Sequence, residues 1–269
     1  MARVLAQRTR AHDSSAHAGG EGEGDAGPPL GVVGVLGGMG PLATIDFMRK
    51  MLEATPASRD QDHVPVVVSS IPQVPDRTAA FRGEGVSPLA AMIASGRRLA
   101  AAGAGLAVIP CNTAHLWFDE LREALNLPML HMVDAALAEA VSLVGPDARL
   151  GLLATDATLA AGLYVERKPS GWAARDIHWL LPTADEMLSL VLPGIAAVKA
   201  GKLGPAAELL QAAATALAER GAQALVLGCT EIPLALGQDN APLPVVDPTA
   251  ALARQAVAWS LAQRRVAHS

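Results

Sequence analysis

The chain alternates short apolar runs with longer stretches in which apolar residues recur every three or four positions. Residues 32–36 carry only Val, Leu and Gly, which predicts a strand buried on both faces, as in a parallel sheet. Glycines 37, 38 and 40 then make a tight turn. Pro41 suits the first position of a helix over 41–54, where its missing N–H has no intrahelical partner to lose. The same pattern predicts a strand at 65–69, a loop at 71–82, a helix at 87–102, a strand over 106–110, a helix at 113–125, a short strand at 129–132 and a helix at 134–143. The series then restarts with a strand at 149–155, a weak strand at 177–180, helices at 185–200 and 205–220, an apolar run at 224–228, a strand at 244–246 and a closing helix at 248–264. Strands alternating with helices imply parallel βαβ units with right-handed crossovers.

The restart is an internal repeat. Leu106-Ala107-Val108-Ile109-Pro110-Cys111-Asn112-Thr113 is answered by Ala224-Leu225-Val226-Leu227-Gly228-Cys229-Thr230-Glu231, and Leu99 to Gly103 by Leu217 to Gly221. Gly151 likewise answers Gly34. The expected fold class is therefore α/β, with two pseudo-symmetric parallel-sheet lobes over residues 30–144 and 146–262, the first completed by the closing helix 248–264. Ligands of open parallel sheets bind beyond the carboxyl ends of the strands. Two facing lobes would aim both cysteines into one cleft.

Composition narrows the class. Apolar residues make up 51% and aromatics only 3%, so the core must be built from Ala, Leu and Val. With 21 basic against 26 acidic residues, the net charge of −5 gives no global attraction to nucleic acid. The charge-free run 26–45 is long enough to span a bilayer, but its six glycines and three prolines fit a strand and turn instead of a membrane helix. Two cysteines make no disulfide framework, and a reducing, cytoplasmic setting is expected. Residues 1–28 are rich in Ala, Gly, His, Ser and Glu without apolar period, and a disordered extension is expected there.

Those two cysteines, Cys111 and Cys229, are the candidate chemistry. Racemisation at an α-carbon needs a base on one face and an acid on the other, and a thiolate–thiol pair supplies both. Helix starts after each cysteine would lower its pKa. A single such cysteine is more often a small buried apolar residue; pairing at repeat-equivalent positions shifts the balance toward catalysis. Cys111 and His115, four apart, are too few for structural zinc, and no metal is expected. As a thiol-hydrolase pair they are a weak motif. Gly38-Met39-Gly40-Pro41-Leu42-Ala43 fits the dinucleotide G-x-G-x-x-A pattern, but the next strand ends Val68-Ser69-Ser70, with no acid for a ribose. The turn is read instead as N–H donors for a carboxylate, with an unliganded tight turn as its rival. Arg77 and Lys199 are suited to an acidic substrate, and on residue chemistry alone are as readily solvated surface charges.

Four segments in order carry a resemblance: Gly37-Gly38-Met39-Gly40-Pro41-Leu42-Ala43-Thr44, Pro75-Asp76-Arg77-Thr78, Pro110-Cys111-Asn112-Thr113-Ala114-His115 and Leu227-Gly228-Cys229-Thr230-Glu231. Together they resemble the aspartate racemase branch of the aspartate/glutamate racemase family. The resemblance implies cofactor-independent racemisation of a small acidic amino acid by Cys111 and Cys229, commonly in a homodimer, with no membrane or nucleic-acid partner. It implies that Asn112, Thr113 and Thr230 bind the amino and carboxylate groups, and that Arg77 and Lys199 are the carboxylate cations. Met39, Gly40, Thr155 and Glu231 complete the expected substrate-binding set. Glutamate racemases are less similar, typically having an Asp-Ser turn and a His where this chain has Gly37-Gly38 and Glu231. Maleate isomerases and hydantoin racemases share the scaffold and remain alternatives, as does a catalytically idle ligand-binding protein.

Overall fold

A computed structural model describes residues 30–145, 147–168 and 177–266 of the chain. The expected disordered segment 1–28 lies outside the described residues. The first half runs β1 (Val33–Gly37), α1 (Pro41–Ala54), β2 (Val66–Ser70), α2 (Arg77–Phe81), α3 (Leu89–Ala101), β3 (Leu106–Val108), a 3-10 turn (Thr113–Trp117), α4 (Phe118–Leu125) and α5 (Met132–Val144). The second half runs β4 (Arg149–Ala154), α6 (Asp156–Ala160), β5 (His178–Leu180), α7 (Ala184–Glu186), a π-turn (Met187–Val191), α8 (Leu192–Lys199), α9 (Leu203–Glu219), β6 (Ala224–Gly228), β7 (Val245–Val246) and α10 (Pro248–Val266).

Each half builds a parallel sheet around its first strand. The orders are β2-β1-β3 and β5-β4-β6-β7. Met129 makes a single parallel bridge to Ala107, in the place β7 takes in the second sheet. The strand expected at 129–132 is thus one bridge long, because Met132 already opens α5. The strand before Cys111 also stops early, at Val108; Pro110 has no N–H to continue a ladder. The loop expected at 71–82 holds the short α2, whose first turn is capped by Asp76 accepting from the Ala79 N–H at 2.8 Å.

Central strands β1 and β6 are buried at every residue, and edge strand β2 only at Ser69. This matches runs that are apolar on both faces inside a sheet covered by helices. The repeat extends to atomic detail. A Cβ on Gly34 would lie 3.1 Å from the Leu99 Cβ, and one on Gly151 would lie 3.2 Å from the Leu217 Cβ. Each glycine lets the equivalent helix, α3 or α9, close onto its sheet.

The terminal helices are exchanged between the halves. Val133, Ala136, Leu137 and Ala140 of α5 pack with Leu150, Leu152, Val226 and Val246 of the second sheet. Leu252, Ala253, Ala256 and Val257 of α10 pack with Val33, Val35 and Leu106 of the first. Packing therefore divides the chain at the start of α5, not at residue 144. Periodicity shows that a helix has an apolar face but not which sheet that face meets. Asp247 fixes the second crossing: it accepts from the Thr249 N–H at 2.8 Å and pairs with Lys50 of α1 at 2.5 Å. Among the described residues, no helix is long and apolar enough to cross a membrane.

Candidate active site

The carboxyl ends of both sheets face one small cavity of about 20 Å³. Met39, Arg77, Cys111, Asn112 and Thr113 line it from the first lobe. Thr155, Lys199, Cys229, Thr230 and Glu231 line it from the second. Of the two cysteines and the expected substrate-binding set, all but Gly40 are thus brought to one place. That glycine lines an adjoining cavity of about 520 Å³ that shares Asp76, Arg77, Lys199 and Glu231 with the first. A Cβ at Gly40 would sit 3.3 Å from Glu231 Oε1, so the bare glycine lets the second lobe's carboxylate close over the first lobe's turn. The turn is braced from within: Thr44 Oγ1 accepts from the Gly38 N–H and donates to the Gly40 carbonyl, both at 2.9 Å. Gly38 has φ +92°, and a Cβ there would fall 2.4 Å from the Ile71 backbone, which only glycine avoids.

Both thiols are buried, and burial raises both pKa values. The depressed values expected from helix starts are therefore not found; desolvation of a thiolate outweighs a short 3-10 turn. The two sites still differ. At Cys111 the positive charges of Arg77 and Lys199 oppose burial, with Glu231 and burial on the other side. At Cys229 Glu231 adds to burial, through its charge and by accepting the Cys229 Sγ–H on Oε2 at 3.0 Å, and the pKa is pushed well above the usual thiol range. Cys111 is the easier of the two to ionise, and Cys229 is held as a thiol. Glu231→Gln should accordingly lower the Cys229 pKa, though burial keeps it high. Alkylation of Cys229 by iodoacetamide at pH 8, followed by mass spectrometry, should speed up several-fold, at roughly tenfold per pKa unit while the thiol stays mostly protonated. An unchanged rate would show that Glu231 does not act on this thiol.

Two donors at the cavity lack a partner among the described residues: Arg77 Nε and Asn112 Nδ2, both buried. Arg77 is anchored at its other end, where Nη1 donates to the Val74 and Pro75 carbonyls at 3.0 and 2.9 Å. Asp76, beside it, has its pKa lowered: burial pushes upward, but the Ala79 N–H, Arg77 and Lys199 together outweigh it. The mouth thus sets two cations against two carboxylates.

His115, a candidate thiol partner by spacing, does not act on sulfur. Its Nε2 accepts from the Met132 N–H at 3.1 Å, so Nδ1 carries the proton and donates to the Cys111 carbonyl at 2.8 Å. Burial lowers its pKa to about 4, and it stays neutral while tying the Cys111 turn to the start of α5.

Two buried residues were not legible in advance. Thr158 joins Thr113 and Thr155 in a ring of hydroxyls, at 3.0 and 2.9 Å, across the lobe boundary. Tyr164, the chain's only tyrosine, donates its hydroxyl to Asn112 Oδ1 from the other lobe. The signal available for Tyr164 was its rarity: a lone phenol in a core of small aliphatic side chains needs a polar partner.

Known proteins share this fold. The family model described as Asp/Glu/Hydantoin racemase matches residues 36–256. The "Broad specificity amino-acid racemase RacX" of Bacillus subtilis is 27% identical over 86% of this chain and 99% of its own length. The structure of Picrophilus torridus aspartate racemase superposes with a TM-score of 0.75 at 31% identity, covering 85% of this chain and 94% of that one. Glutamate racemase from Francisella tularensis, at 14% identity and TM-score 0.61 over 88% of this chain and 82% of its own, shares the fold. The chain belongs to the Asp/Glu/hydantoin racemase family and is an isomerase of the racemase class.

Proposed function

We propose that the protein interconverts L- and D-aspartate, or a close acidic analogue, by two-base proton transfer at the α-carbon. The observation that carries this reading is the meeting of both thiols, one from each lobe, on a single cavity that also holds Arg77 and Lys199. Cys111, under the pull of both cations, forms the thiolate that removes the α-proton on its face. Cys229, a thiol, returns a proton on the other. For the opposite enantiomer the roles exchange: the first inversion leaves the abstracted proton on Cys111 and Cys229 as the thiolate, which is the state that removes the α-proton from the other face. Charge that develops on the α-carboxylate meets oriented donors in a site largely closed to water. Similarity to an aspartate racemase supports the acidic substrate.

Single enantiomers of aspartate, incubated in D2O without added pyridoxal phosphate, should lose optical rotation and gain deuterium at the α-carbon. Inversion without deuterium uptake, or no inversion of any acidic amino acid, would reject the reading. One observation favours a second, broader range: the adjoining cavity of about 520 Å³ has apolar walls at Pro41, Leu42, Val74 and Val198, large enough for longer side chains. The relative named as a broad-specificity amino-acid racemase points the same way. A panel of single-enantiomer amino acids decides between the two.

A further inference from the structure

We infer that Tyr164 is a positioning residue that fixes the Asn112 amide as a donor to a substrate carboxylate, and so bars Asn112 from accepting a hydrogen bond from the substrate's ammonium group. The inference deepens the acidic-substrate reading and rests on it. Tyr164 comes from the second lobe, just beyond α6, and is 1% exposed. Its ring lies behind the strand that delivers Cys229: a Cβ on Gly228 would meet Tyr164 Cε2 at 3.2 Å. From there the phenol reaches across the boundary to Asn112 Oδ1, one residue after Cys111.

Only one amide orientation satisfies the phenol. A buried O–H needs an acceptor, and Oδ1 is the acceptor that the hydroxyl reaches. Burial raises the Tyr164 pKa well above its usual value, so the hydroxyl keeps its proton and remains the donor. With Oδ1 occupied, the opposite edge of the amide carries only Nδ2, which is buried, lacks a partner among the described residues and belongs to a side chain lining the cavity. An N–H donor in that place binds an acceptor, and the acceptors an amino acid offers are its carboxylate oxygens. Turning the amide over would leave the phenol proton unpaired and aim Oδ1 at the ligand. One hydroxyl contact therefore sets which end of the substrate Asn112 reads.

Succinate, a dicarboxylate without an amine, is the probe, titrated calorimetrically into the full-length protein and into Tyr164→Phe, with thermal melts to establish that each variant is folded. Loss of a hydrogen bond to a charged group corresponds to roughly tenfold or more in affinity. Tyr164→Phe should weaken succinate by about that factor, because the amide is then free to turn. In an Asn112→Ala background the same change should cause no further loss. An unchanged succinate affinity in Tyr164→Phe overturns the inference, as does an equal loss in the Asn112→Ala background, since packing alone would then account for it. Failure of the unaltered protein to bind succinate, glutarate or aspartate would instead remove the acidic-substrate reading, and this inference with it.

Discussion

Cys111→Ala and Cys229→Ala should each slow aspartate inversion by at least ~10³-fold, toward the upper end of what a single positioned acid or base contributes. The reason is symmetry of the reaction, not of the protein: inversion needs one group on each face, so neither thiol can cover for the other. The two variants should nevertheless differ. With Cys229 removed, Cys111 still faces one enantiomer, under the pull of Arg77 and Lys199. Slow exchange of that enantiomer's α-proton for deuterium should persist without inversion. Circular dichroism follows inversion of each enantiomer, and proton NMR follows exchange. If the cysteines were only small buried side chains, either variant would keep nearly all its activity.

Arg77→Ala should raise KM for aspartate and move the ascending, acid-side limb of the rate profile to higher pH. The first effect follows from losing a charged, pre-anchored donor, and amounts to roughly ten- to a hundredfold. The second follows from charge. A thiol ionises to an anion, and Arg77 is the strongest influence opposing burial at Cys111; without it the pKa rises further. In solutions more acidic than the thiol's pKa, the thiolate fraction drops about tenfold for every pH unit separating the two. At neutral pH both effects reduce kcat/KM; at high pH only the binding loss remains. Arg77→Lys should recover part of the change in the pH profile but little of the KM, since a lysine head cannot reproduce Nη1 on two carbonyls while presenting Nε to the site. A pH profile unchanged in Arg77→Ala would separate Arg77 from the thiol altogether.

Much of the fold was legible because the repeat is written in local pattern. The apolar runs, the glycine turn and the equivalence of Gly34 with Gly151 all concern neighbours in sequence or one periodicity. The meeting of Cys111 with Cys229 could be anticipated because strand ends in parallel sheets face one side. What escaped was decided between distant segments. Which sheet α5 covers depends on the partner of its apolar face. Tyr164 and Thr158 act only across the lobe boundary. The direction in which the thiol pKa values move also escaped, because it follows from burial, and burial at a strand end depends on how closely the opposite lobe approaches.

The exchange of α5 and α10 ties the two lobes together beside the thiols. The chain passes between lobes just before Met132 and again at Asp247–Pro248. One of these passages is held beside Cys111 by the His115 ring, and the other carries Asp247, whose charge is felt at Tyr164 next to Cys229. Each crossing thus hands a helix to the opposite lobe, and its anchoring contacts lie within the same small neighbourhood as the catalytic turns, so the two halves are stitched together where the thiols meet.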